Sequence, residues 1–150
     1  MAQVFLGMSG GVDSSAAAVL LQEQGYAVSG LHLSLLSGLP LPADRLPDDG
    51  SDARAVASLL GLPFYDMDLS PEFRATVIDY FIREYEAGRT PNPCVFCNRR
   101  IKFGAMWDAA QKLGADYLAT GHYAKIRQDP TTGRHLLCRG ADRSKDQSYF

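Results

Sequence analysis

An open parallel β-sheet with helices on both faces, closing in a short β-hairpin, is the α/β fold class this chain predicts. Three observations carry it. β-prone and helix-prone runs alternate from Val4 to Ala119, the pattern of parallel strands joined by crossover helices. The run 26–35 contains Val28, Leu31, Leu33 and Leu35, apolar enough for a strand covered on both faces. Between the first strand and the first helix lies Gly7-Met8-Ser9-Gly10-Gly11-Val12-Asp13-Ser14-Ser15, a turn of glycines, hydroxyls and one acid at the sheet edge where such folds bind anions.

The elements follow in order. Residues 4–6 form the first strand, and a helix over 14–24 closes at Gly25, suited to a left-handed residue after a helix. The second strand is 26–35. Residues 38–50 hold Pro40, Pro42 and Pro47 with Asp44, Asp48 and Asp49 and predict a mobile surface loop. Asp52 is placed to cap a helix through Ala53, Val56, Ala57, Leu59 and Leu60, ended by Gly61. A third strand over 63–68 precedes Ser70-Pro71-Glu72, a helix start whose Phe73, Val77, Tyr80 and Phe81 recur at helical spacing and predict a core stripe. Pro91 and Pro93 around Asn92 predict a stiff, non-helical excursion over 89–100. A helix over 101–113 then ends at Gly114, a fourth strand spans 115–119, and a hairpin pairs 124–128 with 135–139 around 129–133.

The 150 residues suit one domain, 1–150, with a core of its own. No apolar run approaches the roughly 18 residues of a membrane span, and Met1-Ala2-Gln3 leads straight into a strand, so a cytoplasmic protein with no membrane partner is expected. Cys94, Cys97 and Cys138 are an odd set, which favours chemistry or metal over a disulfide framework. The net charge of −2 excludes a uniformly basic nucleic-acid binder but not local basic faces. Arg99, Arg100 and Lys102 form one such cluster, and Lys125, Arg127, Arg134, Arg139, Arg143 and Lys145 another. Asp146-Gln147-Ser148-Tyr149-Phe150 lacks the character of a tail, so a domain cut before its C-terminal end is expected.

The opening loop lacks the Gly-Lys-Ser/Thr ending of the common P-loop, which argues against a kinase or motor ATPase. Gly10 and Gly11 let the backbone approach a phosphate, Ser9, Ser14 and Ser15 can donate to it, and Asp13 can hold the Mg2+ that accompanies ATP. The end of the second strand falls on the same sheet edge, so adenine is expected near Leu33. Cys94-x-x-Cys97 has the spacing of half a zinc site, a redox pair or part of an iron–sulfur site, and spacing does not separate them. The neighbouring Arg99, Arg100 and Lys102 favour thiolate and hence a chemical role.

Ser-Gly-Gly-Val-Asp-Ser-Ser after a strand resembles the signature of the PP-loop ATP pyrophosphatases. With Gly-Arg-Thr-Pro-Asn-Pro, Cys-Asn, Ile-Lys-Phe, Ala-Thr-Gly-His-Tyr and Lys-Asp-Gln-Ser-Tyr-Phe in this order, the chain resembles the N-terminal part of the tRNA-specific 2-thiouridylases. That resemblance implies an enzyme that adenylates O2 of the wobble uridine of tRNA with ATP and replaces the activated oxygen by persulfide sulfur, releasing AMP and pyrophosphate. It implies that Gly7, Met8, Ser9, Gly10, Gly11, Val12, Asp13 and Ser14 hold ATP, with Leu33 at the adenine and Gly121 on the nucleotide. Asn92, Pro93 and Cys94 would face the target base, Cys97 would be the nucleophile, and Lys145, Asp146 and Gln147 would touch tRNA. His122, beside Gly121, would either help in the active site or be a hydrogen-bonded structural histidine. Cys138 matches no motif and is expected to be a buried strand residue.

Many members of that family carry Asp where this chain has Cys94. With Cys94, Cys97 and a further cysteine expected downstream, the resemblance leaves two routes open: three thiolates holding a [4Fe–4S] cluster, or persulfide transfer closed by a disulfide. A sulfur-donor protein or persulfide carrier is implied as partner. The competing readings are another adenylating PP-loop enzyme, which would not need the Cys-Asn loop, and a module that binds nucleotide and RNA without pyrophosphate release.

Overall fold

The computed structural model describes residues 1–39 and 49–149. The proline-rich part of the expected mobile loop, 40–48, lies outside the described residues, as does Phe150. The strands β1 (Gln3–Gly7), β2 (Ala27–Ser34), β3 (Phe64–Asp68) and β4 (Tyr117–Thr120) form one sheet in the order β3-β2-β1-β4. Every neighbouring pair in it is parallel: Gly7 pairs with Leu31 and with Thr120, and Leu33 with Met67. The chain runs outward from β1 through β2 to β3 and then crosses back to place β4 on the other side of β1. This reversal opens a crevice at the C-terminal ends of β1 and β4, where ligands bind in open α/β sheets.

Helices cover both faces, as the alternation predicts. On one face α1 (Val12–Glu23) and α2 (Ser51–Leu59) bring Ala18, Ala53 and Ala57 against Leu6, Met8 and Val28. Three fully buried alanines let these helices approach the sheet closely. On the other face Met106 and Ala110 of α6 (Met106–Lys112) pack on Phe5 and Leu31. β2, buried over five consecutive positions, is the doubly covered strand the sequence predicts. The hairpin of β5 (Ala124–Gln128) and β6 (His135–Arg139) stands as a separate antiparallel pair with the predicted bounds.

Three expectations are corrected. α2 is preceded by Gly50 in the left-handed region, and Asp49 rather than Asp52 serves its first turn by accepting from Ser51 N at 2.9 Å. The Phe73 stripe is only partly core. In the helical run of α3 (Ser70–Phe73), the wide-turned Arg74–Ile78 and α4 (Asp79–Glu86), Val77 is buried, Phe73 and Tyr80 are half-buried, and Phe81 is exposed. The wide i→i+5 turns rotate residues after Phe73 away from the 3.6-residue stripe.

The third correction is the most consequential: residues 93–97 are helical. Pro93 opens α5 (Pro93–Cys97) at a position where a missing N–H costs nothing, and the Asn92 side chain caps it by accepting from Val95 N at 3.4 Å. The helix continues through a second wide-turned segment, Asn98–Ala105, into α6. Tyr80 of α4 stacks on Phe96 of α5 with centroids 3.9 Å apart. Tyr80→Leu is expected to lower stability by about 1 kcal/mol through loss of that stack, read as a fall in the urea midpoint at unchanged slope.

Candidate nucleotide cleft and cysteine helix

The glycine–serine turn after β1 becomes a cradle through its own hydrogen bonds. Gly10 sits at φ +77°, and a Cβ there would meet Asp52 Cβ at 2.5 Å and Ala53 N at 2.8 Å, so the loop can lie on α2 only with glycine. Ser9 Oγ accepts from Gly11 N at 3.4 Å, and the buried Ser14 hydroxyl donates to Gly11 O at 3.1 Å and accepts from Ser9 N at 3.4 Å. Ser15 also spends its hydroxyl on Gly11 O, at 2.8 Å. Met8 is buried under the turn, while Gly11, Val12 and Asp13 are exposed at the start of α1, where the helix end favours negative charge.

The turn opens into a cleft of about 310 Å³. Gly7, Met8, Ser9, Asp13 and Ser14 form one wall, Leu31, His32, Leu33 and Leu35 another, and Lys102, Met106, Thr120, Gly121, His122 and Gln147 the remainder. Of the predicted nucleotide residues, Gly7, Met8, Ser9, Asp13, Ser14, Leu33 and Gly121 are brought together here, while Gly10, Gly11 and Val12 shape the turn behind it. Gly121 lies so close to α1 that a Cβ would come within 2.9 Å of Ser14 N.

Sequence reading missed several cleft residues. His32 is buried on β2 and hydrogen-bonds through Nδ1 to Asp66 Oδ1 at 3.1 Å, and Ser34 Oγ donates to that same oxygen at 3.2 Å. Lys102 reaches the cleft from the wide-turned helix. Its signal was the Ile-Lys-Phe motif, but its direction depends on where the helix begins, which the prolines obscured. His122, which the resemblance had already singled out, also lines the cleft, and its Nδ1 bonds Thr120 Oγ1 at 2.7 Å. Burial first, then the Lys102 charge, push its pKa below the ordinary histidine value, favouring the neutral ring.

Cys94 and Cys97 stand three apart in α5, spacing that puts them on one helix face. Cys94 is exposed, and Cys97 packs on a cluster of Leu69, Val77 and Ile101. Leu33 and Leu35 pack on the same cluster and also line the cleft, so the cysteine helix backs onto that wall of the cleft. The expected thiolate-favouring setting of Cys97 is corrected: burial pushes its thiol up, Lys102 only partly offsets this, and Cys94 adds to the rise. Arg99 and Arg100 are exposed. Among the described residues no group of three or more His, Cys, Asp or Glu side chains is placed to hold a metal ion. Cys138 is half-buried on β6 rather than buried, with Sγ 3.8 Å from Leu136 O.

The 145–147 segment divides its labour. Lys145 is exposed, with Nζ 5.6 Å from the centre of the Tyr123 ring. Asp146 uses its carboxylate within the turn, accepting from Gly140 N, Ser148 N and Ser148 Oγ, and the Gly140 bond holds its pKa below the usual carboxylate value. Gln147 lines the cleft, and its Oε1 accepts from Tyr123 N at 3.0 Å. Lys125, Arg127, Arg134, Arg139 and Arg143 are exposed on and beside the hairpin.

Comparison with known proteins decides the family, because the model for the tRNA methyl transferase HUP domain matches residues 2–150. The chain belongs to that family. It is 51% identical over 152 residues to the tRNA-specific 2-thiouridylase MnmA of Moorella thermoacetica, with 95% of this chain and 41% of that protein covered. Identity to the protein of the same name from Clostridioides difficile is 47% over 155 residues, covering 98% and 42%. The chain thus spans about two fifths of the length of the curated relatives it matches. Among solved structures it is similar to the U34-tRNA thiolase NcsA from Methanococcus maripaludis with its [4Fe-4S] cluster, at TM-score 0.54 and 25% identity, covering 81% of this chain and 38% of that one. A predicted subunit of tRNA methyltransferase from Methanocaldococcus jannaschii shares the fold at TM-score 0.52 and 21% identity, covering 89% and 57%. No helix among the described residues is long and apolar enough to cross a membrane.

Proposed function

We propose that this chain is the ATP-binding, uridine-activating part of a tRNA 2-thiouridylase, an ATP-dependent sulfurtransferase. One observation carries the reading: an anion cradle and a cysteine helix share a wall through Leu33 and Leu35, with Lys102 facing both. The relatives named 2-thiouridylase support it. The cradle from Gly7 to Ser14 receives the phosphates of ATP, Leu33 lies along the adenine, and Gly121 faces the nucleotide. Asp13 suits Mg2+, which binds through one or two carboxylates together with phosphate oxygens; when bound it neutralises charge on the leaving pyrophosphate.

The uridine O2 attacks the α-phosphorus, pyrophosphate leaves, and C2 now carries AMP as a good leaving group. Asn92, Pro93 and Cys94 are the residues this reading sets against the flipped base. The thiolate of Cys97 attacks the inner sulfur of a persulfide, forming a disulfide and expelling hydrosulfide. That sulfur adds to C2 and AMP departs. Exposed Lys145 and the basic hairpin face the tRNA phosphates. A [4Fe–4S] cluster would use Cys94 and Cys97 but needs a further ligand from outside the described residues, so no step is derived through it. Domain 1–150 is accordingly read as the front of a longer enzyme, with a sulfur-donor protein or persulfide carrier as partner.

The test gives full-length protein ATP, Mg2+, a sulfur donor and uridine-bearing tRNA, and looks for 2-thiouridine in the digested tRNA by mass spectrometry. Thiolated nucleoside with stoichiometric AMP is expected; a methylated uridine in its place would sink the reading. Iron content before and after Cys94→Ala separates the sulfur routes, since only a cluster makes the iron depend on that thiol.

A further inference from the structure

We propose that Tyr123 is the positioning residue through which Lys145 and Gln147 hold the Asp13 carboxylate at the mouth of the cleft. The inference rests on the reading of that cleft as a Mg·ATP site. Asp13 is exposed in the first turn of α1, where a short carboxylate is otherwise free to change rotamer. The Tyr123 hydroxyl donates to Asp13 Oδ1 at 2.8 Å across 110 residues of sequence. This engages Oδ1, and on the proposed reading Oδ2 is the oxygen left for a cation.

Tyr123 is itself held from the far end of the chain. Its carbonyl accepts from Gln147 N at 2.9 Å, its N–H donates to Gln147 Oε1 at 3.0 Å, and Lys145 Nζ lies over its ring. Gly121, two residues earlier, lies so close to α1 that a Cβ there would come within 2.9 Å of Ser14 N and 3.0 Å of the Asp13 carbonyl carbon, which sets the segment carrying Tyr123 against the turn carrying Asp13. A surface that meets RNA phosphates through Lys145 is therefore linked by one side chain to the acid that meets the nucleotide.

The test measures Mg·ATP affinity of the full-length protein by titration calorimetry, alongside ATP in excess chelator. Wild type, Tyr123→Phe, Asp13→Asn and the double variant form a cycle. Tyr123→Phe keeps the ring and is expected to weaken Mg·ATP about fivefold, leaving magnesium-free ATP unchanged and adding nothing in the Asp13→Asn background. Lys145→Ala, at an exposed position, is expected to weaken Mg·ATP about twofold, and only where the phenol is present. Additive effects of Tyr123→Phe and Asp13→Asn, or equal weakening with and without magnesium, would overturn the inference and leave the cleft assignment standing. Failure of the wild type to bind Mg·ATP would overturn both.

Discussion

Gly121→Ala is expected to weaken Mg·ATP binding by more than tenfold and to lower the melting temperature, while Gly7→Ala in the same cleft is nearly silent. Both glycines line the crevice, but what a methyl group meets differs. At Gly121 the added Cβ lies 2.9 Å from Ser14 N, 3.0 Å from the Asp13 carbonyl carbon and 3.1 Å from Ser14 Cα. All three are backbone atoms of the first turn of α1, fixed by the bonds of Ser14 and Ser15 to Gly11 O. The clash is relieved only by moving the end of β4 away from α1, which costs about 1–3 kcal/mol as overpacking and widens the cleft between Asp13 and Tyr123. At Gly7 the nearest atoms are Cε and Sδ of Met106 at 3.5 and 3.6 Å, ordinary contact with a flexible side chain. Calorimetric titration with Mg·ATP and thermal melts of the two variants check this. Equal behaviour of the two would show that the approach of β4 to α1 is not what shapes the site.

The contrast also marks what was legible in the sequence. The turn after β1 could be read because it is local: glycines, hydroxyls and an acid within nine residues of a strand end already specify a tight strand-to-helix turn at the sheet edge. The parallel sheet could be read because periodicity is local too. Gly121 was reached only through a motif, and its contact with Ser14 belongs to the crossing of β4 beside β1, which pattern alone does not specify. The helix over Pro93–Cys97 was missed because two prolines outweighed the signal that Pro after Asn suits a first turn. That miss carried the thiol environment with it. Lys102 beside Cys97 in sequence argues for thiolate, whereas the helix turns Cys97 onto Leu69, Val77 and Ile101, and burial prevails.

The burial of Cys97 makes a prediction of opposite sign to the sequence argument. Cys97→Ser is expected to retain folding and Mg·ATP binding and to yield no 2-thiouridine, since a serine hydroxyl cannot cleave a persulfide. In the native protein the thiol is raised by burial first, lowered by the Lys102 charge, and raised again by Cys94. Only the thiolate attacks, so below its pKa the rate of Cys97 alkylation rises about tenfold per pH unit, and its midpoint falls above the ordinary thiol value. Lys102→Ala removes a charge that favours thiolate and moves the midpoint further up; Cys94→Ala removes a neighbouring thiol that raises it and moves it down. Iodoacetamide rates followed by peptide mass spectrometry, in a Cys138→Ala background, read all three shifts on one residue. A native midpoint below the ordinary thiol value would mean that charge outweighs burial at α5. With its thiol raised, free Cys97 is mostly protonated at neutral pH, so the proposed sulfur transfer needs that thiol to be deprotonated when a persulfide arrives. Neutral His122 lines the cleft that shares Lys102 with Cys97. His122→Gln is then expected to slow sulfur transfer while leaving pyrophosphate release intact, and equal slowing of both steps would exclude it as the proton acceptor.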